Sequence, residues 1–300
     1  MQLSISIGFF GDQHPSRDYG IDFFDLPDIL KQSGFDAVEY FPSVSGFSTD
    51  PRYLRRMMRR AGLFFYSGHL PMVGGQLSFD RETYRTRLCY LKQWIKYFAR
   101  LGIRVAVVHP DEGPFSMAEH PDRMDLCVRW AHDLARYARR FGMKIAVETT
   151  WMRGSLFAYH KNLIYFRDHI RAKNLGFCFD TGHAYGSESP DARRDPEKNF
   201  YKTWDIVKNH VVAFHLHNTY ECCDYHNPFD MGGIDFRRFF RMVKEMKFDF
   251  PMTIEMNPTK PMKHNARTDT KDWSPSPCNA NIERALRATA KMFHTFYDPA

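Results

Sequence analysis

The chain has 300 residues and carries 42 Lys and Arg against 35 Asp and Glu, so its formal net charge is +7. This length predicts one large domain or two ordinary ones, and 43% hydrophobic residues exclude a wholly disordered chain. The sequence contains no apolar run of about 18 residues, so it predicts no membrane-spanning helix.

Short apolar runs alternate with longer amphipathic stretches along the whole chain. The predicted strands are Leu3–Gly8, Ala37–Phe41, Leu63–His69, Val105–His109, Lys144–Thr149, Leu175–Asp180, Val211–His217 and Pro251–Met256. The predicted helices are Phe24–Gln32, Pro51–Arg60, Arg81–Leu101, Pro121–Phe141, Leu156–Ile170, Pro196–Asn209, Phe236–Met246 and Ala280–Thr295. Eight strands, each followed by a helix, predict the α/β class and a single (β/α)₈ TIM barrel over residues 1–300. A doubly wound open sheet is the alternative, but it does not require eight repeats.

A long polar segment, residues 257–279, follows the last predicted strand. It is rich in proline and contains Lys260, Lys263, Arg267 and Lys271. Because this segment leaves the end of a strand in the predicted barrel, we expect a lid-like loop there rather than a linker between domains.

The cysteines and the N-terminal residues indicate the compartment. None of the six cysteines forms a C-x-x-C pair, so we expect reduced thiols, most of them buried. The first residues alternate like a strand and lack a basic segment, so we expect no signal peptide and a cytoplasmic protein.

The C-terminal ends of the predicted strands carry most of the candidate functional residues, which is where a barrel of this kind places its active site. These residues are Glu39, His69, His109, Glu148, Asp180 with His183, His215 with His217, and Glu255. One such histidine is more often a structural core residue. The coincidence at seven strand ends instead predicts a site where cations or protons neutralise buried carboxylates. Glu39 stays outside the predicted ligand set, as a structural hydrogen-bond partner.

The mixture of carboxylate oxygens and imidazole nitrogens predicts the kind of metal. It suits Zn²⁺, Mn²⁺ or Co²⁺ better than Mg²⁺, which prefers mostly oxygen ligands. In the run Asp180-Thr181-Gly182-His183, the glycine is expected to allow a tight turn between two ligands. Asp224 and His226 form a further pair, two residues apart, in the loop after the seventh strand.

Several motifs together resemble the xylose-isomerase-like TIM-barrel superfamily over essentially the whole chain. That superfamily contains sugar isomerases and epimerases, inositol-pathway enzymes and nucleases of the endonuclease IV type. The motifs are Gly68-His69-Leu70-Pro71, Val107-Val108-His109-Pro110, Ile145-Ala146-Val147-Glu148, Phe179-Asp180-Thr181-Gly182-His183-Ala184, His215-Leu216-His217-Asn218, Asp224-Tyr225-His226 and Thr253-Ile254-Glu255.

The resemblance implies a divalent-metal site of one to three ions. The shared metal-binding core corresponds to Glu148, Asp180, His215 and Glu255. The additional ligands of multinuclear members correspond to His69, His109, His183, Asp224 and His226. His217 and Asn218 are expected to contact the substrate or the metal ligands, with Asn218 standing at the Asp of the family pattern His-x-x-Asp.

Two loops distinguish the branches of the superfamily. The sequences His69-Leu70-Pro71-Met72 and Leu216-His217-Asn218-Thr219 depart from the endonuclease IV pattern. The run Gly232-Gly233-Ile234-Asp235 is similar to the sugar branch, although Asp230 replaces its first glycine. The resemblance therefore implies a sugar or sugar-derivative isomerase or epimerase in which Glu148 and Glu255 act as acid and base. An endonuclease IV-like phosphodiester hydrolase, a ketosugar or inositol lyase or dehydratase, and a non-catalytic sugar-binding subunit are the alternatives.

The basic residues favour a small-molecule partner over nucleic acid. Five arginines form one stripe of the helix Pro51–Arg60, which faces outward in the predicted barrel: Arg52, Arg55, Arg56, Arg59 and Arg60. A nucleic-acid enzyme should instead concentrate positive charge at its active-site mouth. We therefore expect a sugar substrate, no nucleic-acid or membrane partner, and leave homo-oligomerisation open.

Overall fold

The eight strands close into a parallel barrel, paired in chain order, with β1 beside β8. A computed structural model of the protein describes residues 1–7, 24–42, 50–71, 77–110, 122–152, 154–220, 223–255 and 279–298, without the side chains of 279–282. The strands are β1 (Leu3–Ile7), β2 (Ala37–Tyr40), β3 (Phe64–His69), β4 (Val105–Val108), β5 (Lys144–Glu148), β6 (Leu175–Asp180), β7 (Val211–Leu216) and β8 (Met252–Ile254). The predicted (β/α)₈ barrel is therefore confirmed.

Helices surround the barrel. In the described ranges they are α1 (Leu26–Gln32), α2 (Pro51–Arg60), α3 (Arg81–Leu101), α4 (Arg123–Ala138), α5 (His160–Asp168), α6 (Thr181–Gly186), α7 (Pro190–Arg194), α8 (Pro196–Val207), α9 (Phe236–Glu245) and α10 (Asn279–Tyr297). Aspartates that accept hydrogen bonds from first-turn amides begin several of them, among them Asp50 before α2 and Asp80 before α3. Gly102, with φ of +87°, ends α3 in the left-handed conformation that glycine adopts without strain. Of the helices described here, none has the length and apolar character needed to cross a membrane.

The strands alternate between two layers of the core. On β5, Val147 packs outward against the helices, whereas Ala146 belongs to a small inner cluster with Cys178 and Ala213. Successive side chains of a strand point to opposite faces, so Glu148, two residues after Ala146, also points inward. On β6 the same two-residue period directs both Cys178 and Asp180 inward. On these two strands the inner residues are small deep in the barrel, and the charged ones lie at its C-terminal mouth.

The structure differs from the predicted elements in one divided helix and two additional short helices. The helix expected over 156–170 divides into a 3₁₀ turn (Leu156–Ala158) and α5, because Tyr159 is extended. The short helices α6 and α7 were not predicted. The end of the predicted first strand, Gly8, the start of the fourth helix, Pro121, the end of the last strand, Met256, and the lid-like loop up to residue 278 lie outside the described residues.

The four described cysteines are free thiols: Cys127, Cys178 and Cys223 are buried, and Cys89 is exposed.

Candidate metal centre

The barrel mouth brings all nine predicted ligands into overlapping groups. The groups are His69, His109 and Glu148; Glu148, Asp180, His215 and Glu255; Asp180, His183 and His217; His217, Asp224 and His226; and Glu148, Cys178 and His215. Within each group the candidate ligand atoms lie within 4.8 Å of one another. His217 joins two groups, although the sequence motifs predict it outside the ligand set. Cys178 was missed altogether; its position two residues before Asp180 was the available signal, since it puts both side chains on one face of β6.

Glu148, at the end of β5, lies at the centre of these groups. Its Oε2 is 3.3 Å from His69 Nε2 and 3.2 Å from His109 Nε2. Its Oε1 is 3.1 Å from His215 Nδ1 and 3.3 Å from His183 Nδ1. The side chain is 1% exposed. One buried carboxylate therefore contacts four imidazoles.

The four-residue group is built from the ends of four consecutive strands, β5 to β8. Glu255 Oε2 lies 2.8 Å from His215 Nδ1, and Asp180 Oδ2 lies 3.8 Å from the same nitrogen. Asp180 also accepts a hydrogen bond from the backbone N–H of His183 at 2.6 Å and so begins helix α6. Because Glu148 and Glu255 both contact His215 Nδ1, this nitrogen marks the position where the donors of the group converge.

A third group stands above the barrel on the loop after β7. The backbones of Asn218 and Asn227 exchange two hydrogen bonds of 2.8 Å, which fold this loop back over the mouth. Asp224 Oδ2 then lies 3.3 Å from His183 Nε2 and 3.2 Å from His226 Nε2. His226 has φ of +49°, a left-handed conformation that is strained for a residue with a side chain and is typical of functional positions.

Three histidines are oriented by backbone carbonyls. His69 Nδ1 donates to the carbonyl of Leu70 at 2.8 Å, and His183 Nδ1 to that of Thr149 at 2.8 Å. His226 Nδ1 donates to the carbonyl of Glu255 at 2.7 Å. A carbonyl oxygen can only accept, so each Nδ1 carries a proton, and each Nε2 is the atom that faces a carboxylate oxygen. Metal-ligating histidines are commonly held in this way.

His217 packs against Gly182 rather than lying free in the mouth. Its Nε2 lies 3.1 Å and 3.2 Å from the two oxygens of Asp180, and its ring stacks on His226 at 4.1 Å. A Cβ on Gly182 would be 1.8 Å from His217 Cε1. The expectation that Gly182 permits a tight turn is therefore wrong: the residue lies inside helix α6, and its missing side chain makes room for the imidazole.

Asn218 organises the loop with its amide. Its Nδ2 donates to the carbonyls of Phe229 and Ile234, and its Oδ1 accepts from the backbone N–H groups of Thr219 and Ile234. The side chain is thus hydrogen-bonded to backbone on every side. Its contribution to the mouth is to hold the loop that carries Asp224 and His226.

Charge compensation sets the pKa values of the mouth. Burial by itself would raise the pKa of Glu148, but the neighbouring His215 and His109 outweigh it and hold that pKa well below its usual range. Burial by itself would lower the pKa of His226, but the Asp224 carboxylate raises it to about 10. Opposing charges likewise lower the pKa of Asp224 and raise that of His183.

The donor set fits divalent cations. Carboxylates and imidazoles converge in a buried mouth, and three imidazoles direct Nε2 toward carboxylate oxygens. Asp224 Oδ1 and His217 Nδ1 are buried without a hydrogen-bond partner. A cation held among such donors would replace the protons that otherwise balance the carboxylates.

Comparison with known proteins assigns the family. The family model of the xylose isomerase-like TIM barrel matches residues 27–276. The chain therefore belongs to the xylose isomerase-like TIM barrel family.

Two curated proteins are similar in sequence. "Probable endonuclease 4" of Geobacter sp. (strain M21) is 24% identical over 275 residues, which cover 84% of this chain and 91% of that protein. An uncharacterised protein of Methanocaldococcus jannaschii is 26% identical over 157 residues. That match covers 52% of this chain and 51% of the relative, so it spans about half of the relative's length.

Solved structures of similar fold include sugar epimerases. An L-ribulose 3-epimerase superposes with a TM-score of 0.73 at 17% identity and covers 99% of this chain and 95% of its own. D-psicose 3-epimerase with D-tagatose from Clostridium cellulolyticum H10 gives a TM-score of 0.72 at 14% identity and 99% coverage of both chains. The IolI protein with a bound zinc atom gives 0.70 at 14% identity and covers 99% of this chain and all of its own. At these identities the likeness establishes the shared fold.

Proposed function

We propose that the protein is a divalent-metal-dependent isomerase or epimerase of a sugar or sugar derivative. The observation that carries this proposal is the convergence of Glu148, Asp180, His215 and Glu255 at the mouth of the barrel. Solved structures of the same fold include sugar epimerases, which agrees with that chemistry.

The proposed metal site has a core and two extensions. Glu148, Asp180, His215 and Glu255 would hold the core ion. His69 and His109 on one side, and His183, Asp224 and His226 on the other, provide for two further ions. Zn²⁺, Mn²⁺ and Co²⁺ suit this mixture of nitrogen and oxygen better than Mg²⁺. When bound, such a cation supplies the positive charge that stabilises developing negative charge on adjacent substrate oxygens.

The two glutamates supply the proton transfers. Isomerisation and epimerisation both begin when a base removes a proton from the carbon beside a carbonyl, and both end when an acid returns a proton to carbon or oxygen. The pKa of Glu255 is lowered because His215 and His226 outweigh its burial, so its carboxylate is ionised and able to accept a proton. Its side chain is 17% exposed against 1% for Glu148, so a substrate in the mouth reaches Glu255 more directly. We assign the first proton removal to Glu255 and the complementary transfer to Glu148. Because the pKa of Glu148 is also lowered, its carboxylate would first accept a proton from a substrate hydroxyl or from water and then return it to carbon.

Isotope exchange tests this function. Purified protein should contain divalent metal, and incubation with a panel of ketoses and aldoses in D₂O with Mn²⁺ should place deuterium on the carbon beside the carbonyl. Glu255→Gln should reduce the exchange by at least about 100-fold, the lower range for loss of a general base, while most of the metal remains bound. Full exchange by this variant would remove Glu255 from its role, and a metal-free wild-type protein active in chelator would refute the metal site.

A second function, metal-dependent hydrolysis of a phosphodiester, is favoured by one observation. Glu148 lies among four imidazoles, and the ligand groups extend on both sides of the core, which is more than a single proton-transfer ion requires. The Geobacter relative is named as an endonuclease.

Asp224→Asn separates the two functions. This change removes the carboxylate between His183 and His226 and leaves the core group unchanged. An isomerase that uses the core ion should keep its deuterium exchange in this variant, whereas a hydrolase that needs the outer group should lose its cleavage of the phosphodiester. Cleavage of an abasic-site duplex by the wild-type protein, lost in this variant and combined with no sugar exchange, would establish the hydrolase.

A further inference from the structure

Glu39 is a buried carboxylate that the ligand groups do not include. It is fully buried at the inward face of β2. Ser6 Oγ donates to its Oε1 at 2.8 Å, and Ser67 Oγ donates to its Oε2 at 2.7 Å. His215 Nε2 lies 3.1 Å from both oxygens. Glu39 therefore contacts the core ligand His215 from the side opposite to the metal group.

The barrel register places both serines beside Glu39. Ser6 of β1 is its register partner on one side, and Ser67 of β3 is its partner on the other. The register shift between Val38 and Glu39 brings Ser67 level with the carboxylate. Two strands thus each supply one hydroxyl donor, so the carboxylate is held in a single orientation toward His215.

Glu39 and the ligand group face different nitrogens of His215. Glu148, Asp180 and Glu255 all lie on the Nδ1 side. A cation bound there would replace the proton on Nδ1 and leave the remaining proton on Nε2, where Glu39 accepts it. His69, His183 and His226 show the reverse arrangement, in which Nδ1–H donates to a backbone carbonyl. A carboxylate partner makes the opposite nitrogen a stronger ligand than a carbonyl partner does.

We propose that Glu39 is the positioning residue of the core metal site: it holds His215 in the Nε2–H tautomer and strengthens Nδ1 as a ligand. This inference rests on the proposed metal-dependent function, because it concerns a ligand of that site. Glu39 itself contacts neither the metal nor the substrate.

Metal affinity tests the inference independently of catalysis. Titration of Zn²⁺ against a competing chelator should show binding to Glu39→Gln weakened by about 10- to 100-fold, the usual effect of removing such an outer partner. In ¹⁵N spectra of the zinc-loaded wild type, His215 should show a protonated Nε2 and a metal-bound Nδ1. Unchanged affinity in Glu39→Gln, or a wild-type His215 protonated on Nδ1, would overturn the proposal.

Serine variants provide a matched comparison and cover the case in which Glu39→Gln fails to fold. Ser6→Ala removes one hydroxyl donor to Glu39, and Ser67→Ala removes the other. Ser4→Ala is the control, since Ser4 lies two residues before Ser6 on β1, is also buried, and its Oγ has no hydrogen-bond partner. Zinc affinity should fall in Ser6→Ala and Ser67→Ala and stay at the wild-type value in Ser4→Ala; an equal effect in all three would contradict the inference. A wild-type protein that binds no zinc would instead refute the proposed function itself.

Discussion

The barrel mouth and the outer face of helix α2 are both rich in charged residues. The charges are buried and paired at the mouth but exposed to solvent on the helix. At the mouth, Glu148 and Asp180 are almost completely buried, and each contacts imidazoles. On the outer face, which we call the arginine face, five side chains are exposed: Arg52, Arg55, Arg56, Arg59 and Arg60. Coulomb interactions are strong where water is excluded and weak in bulk water. The comparison shows that burial, rather than the number of charges, distinguishes the chemical site from a solvated surface.

The arginine face also accounts for part of the net positive charge. The opposite side of α2 packs into the core through Leu54 and Met58, so the helix is amphipathic in the usual sense. Arg100 of α3 lies beside Arg52, Arg55 and Arg59 on this outer surface. Exposed charges of this kind contribute little to stability and keep the protein in solution.

Of the substitutions in these two regions, Glu148→Gln is expected to have the largest effect on metal binding and on stability. The amide leaves the imidazoles of the mouth without their shared negative charge, so bound metal should be lost. The free energy of unfolding of the metal-free protein should fall by about 3–5 kcal/mol, the usual result of breaking a buried ion pair. Metal analysis and urea denaturation in chelator measure both effects.

Glu197→Gln is the matched control for that substitution. Glu197 pairs with Arg238 at 2.9 Å, but both side chains are more than half exposed. The same chemical change should therefore cost at most about 1 kcal/mol and leave the metal in place. Equal losses in the two variants would show that burial does not separate these regions.

An intermediate effect is expected for Gly182→Ala. The added methyl group would overlap His217, so we expect the free energy of unfolding to fall by about 1–3 kcal/mol, as in other overpacked sites. In a His217→Ala background the same substitution should cost much less, because the imidazole is gone. A double-mutant cycle measured by urea denaturation tests the pair, and strictly additive costs would show that the two residues do not interact.

The smallest effect is expected on the arginine face. Arg56→Gln and Arg59→Gln should each change the free energy of unfolding by no more than about 0.5 kcal/mol, with metal content and deuterium exchange unchanged. In a DNA-retention assay at low salt, these variants should behave like the wild-type protein. Salt-dependent retention lost with the arginines would make this face a functional surface and break the comparison.

Much of the fold and of the site could be predicted because both follow from periodicity. The count of eight strand–helix units specifies the barrel, and the two-residue period of a strand directs Glu148, Asp180 and His215 inward once their strands are located. The ends of helices were less predictable where contacts of single residues decide them. Tyr159 divides a helix that the hydrophobic pattern presents as continuous, and Asp180 begins a helix where a turn was expected.

The pairing of side chains could not be predicted, because it depends on contacts between residues far apart in the chain. Glu39 and His215 are separated by 176 positions, and only barrel closure with its register brings the carboxylate to Nε2. The packing of His217 on Gly182 likewise depends on the approach of β7 to helix α6.

The sequence by itself determined the kind of fold, the strand ends that carry the candidate ligands and the chemical types of the donors, because these depend on composition and on short-range period. The tertiary structure decided which nitrogen faces which oxygen, which glycine makes room for an imidazole, and which charges lose their water. Those outcomes depend on distances of a few ångströms between different strands, and such distances exist only once the barrel has closed.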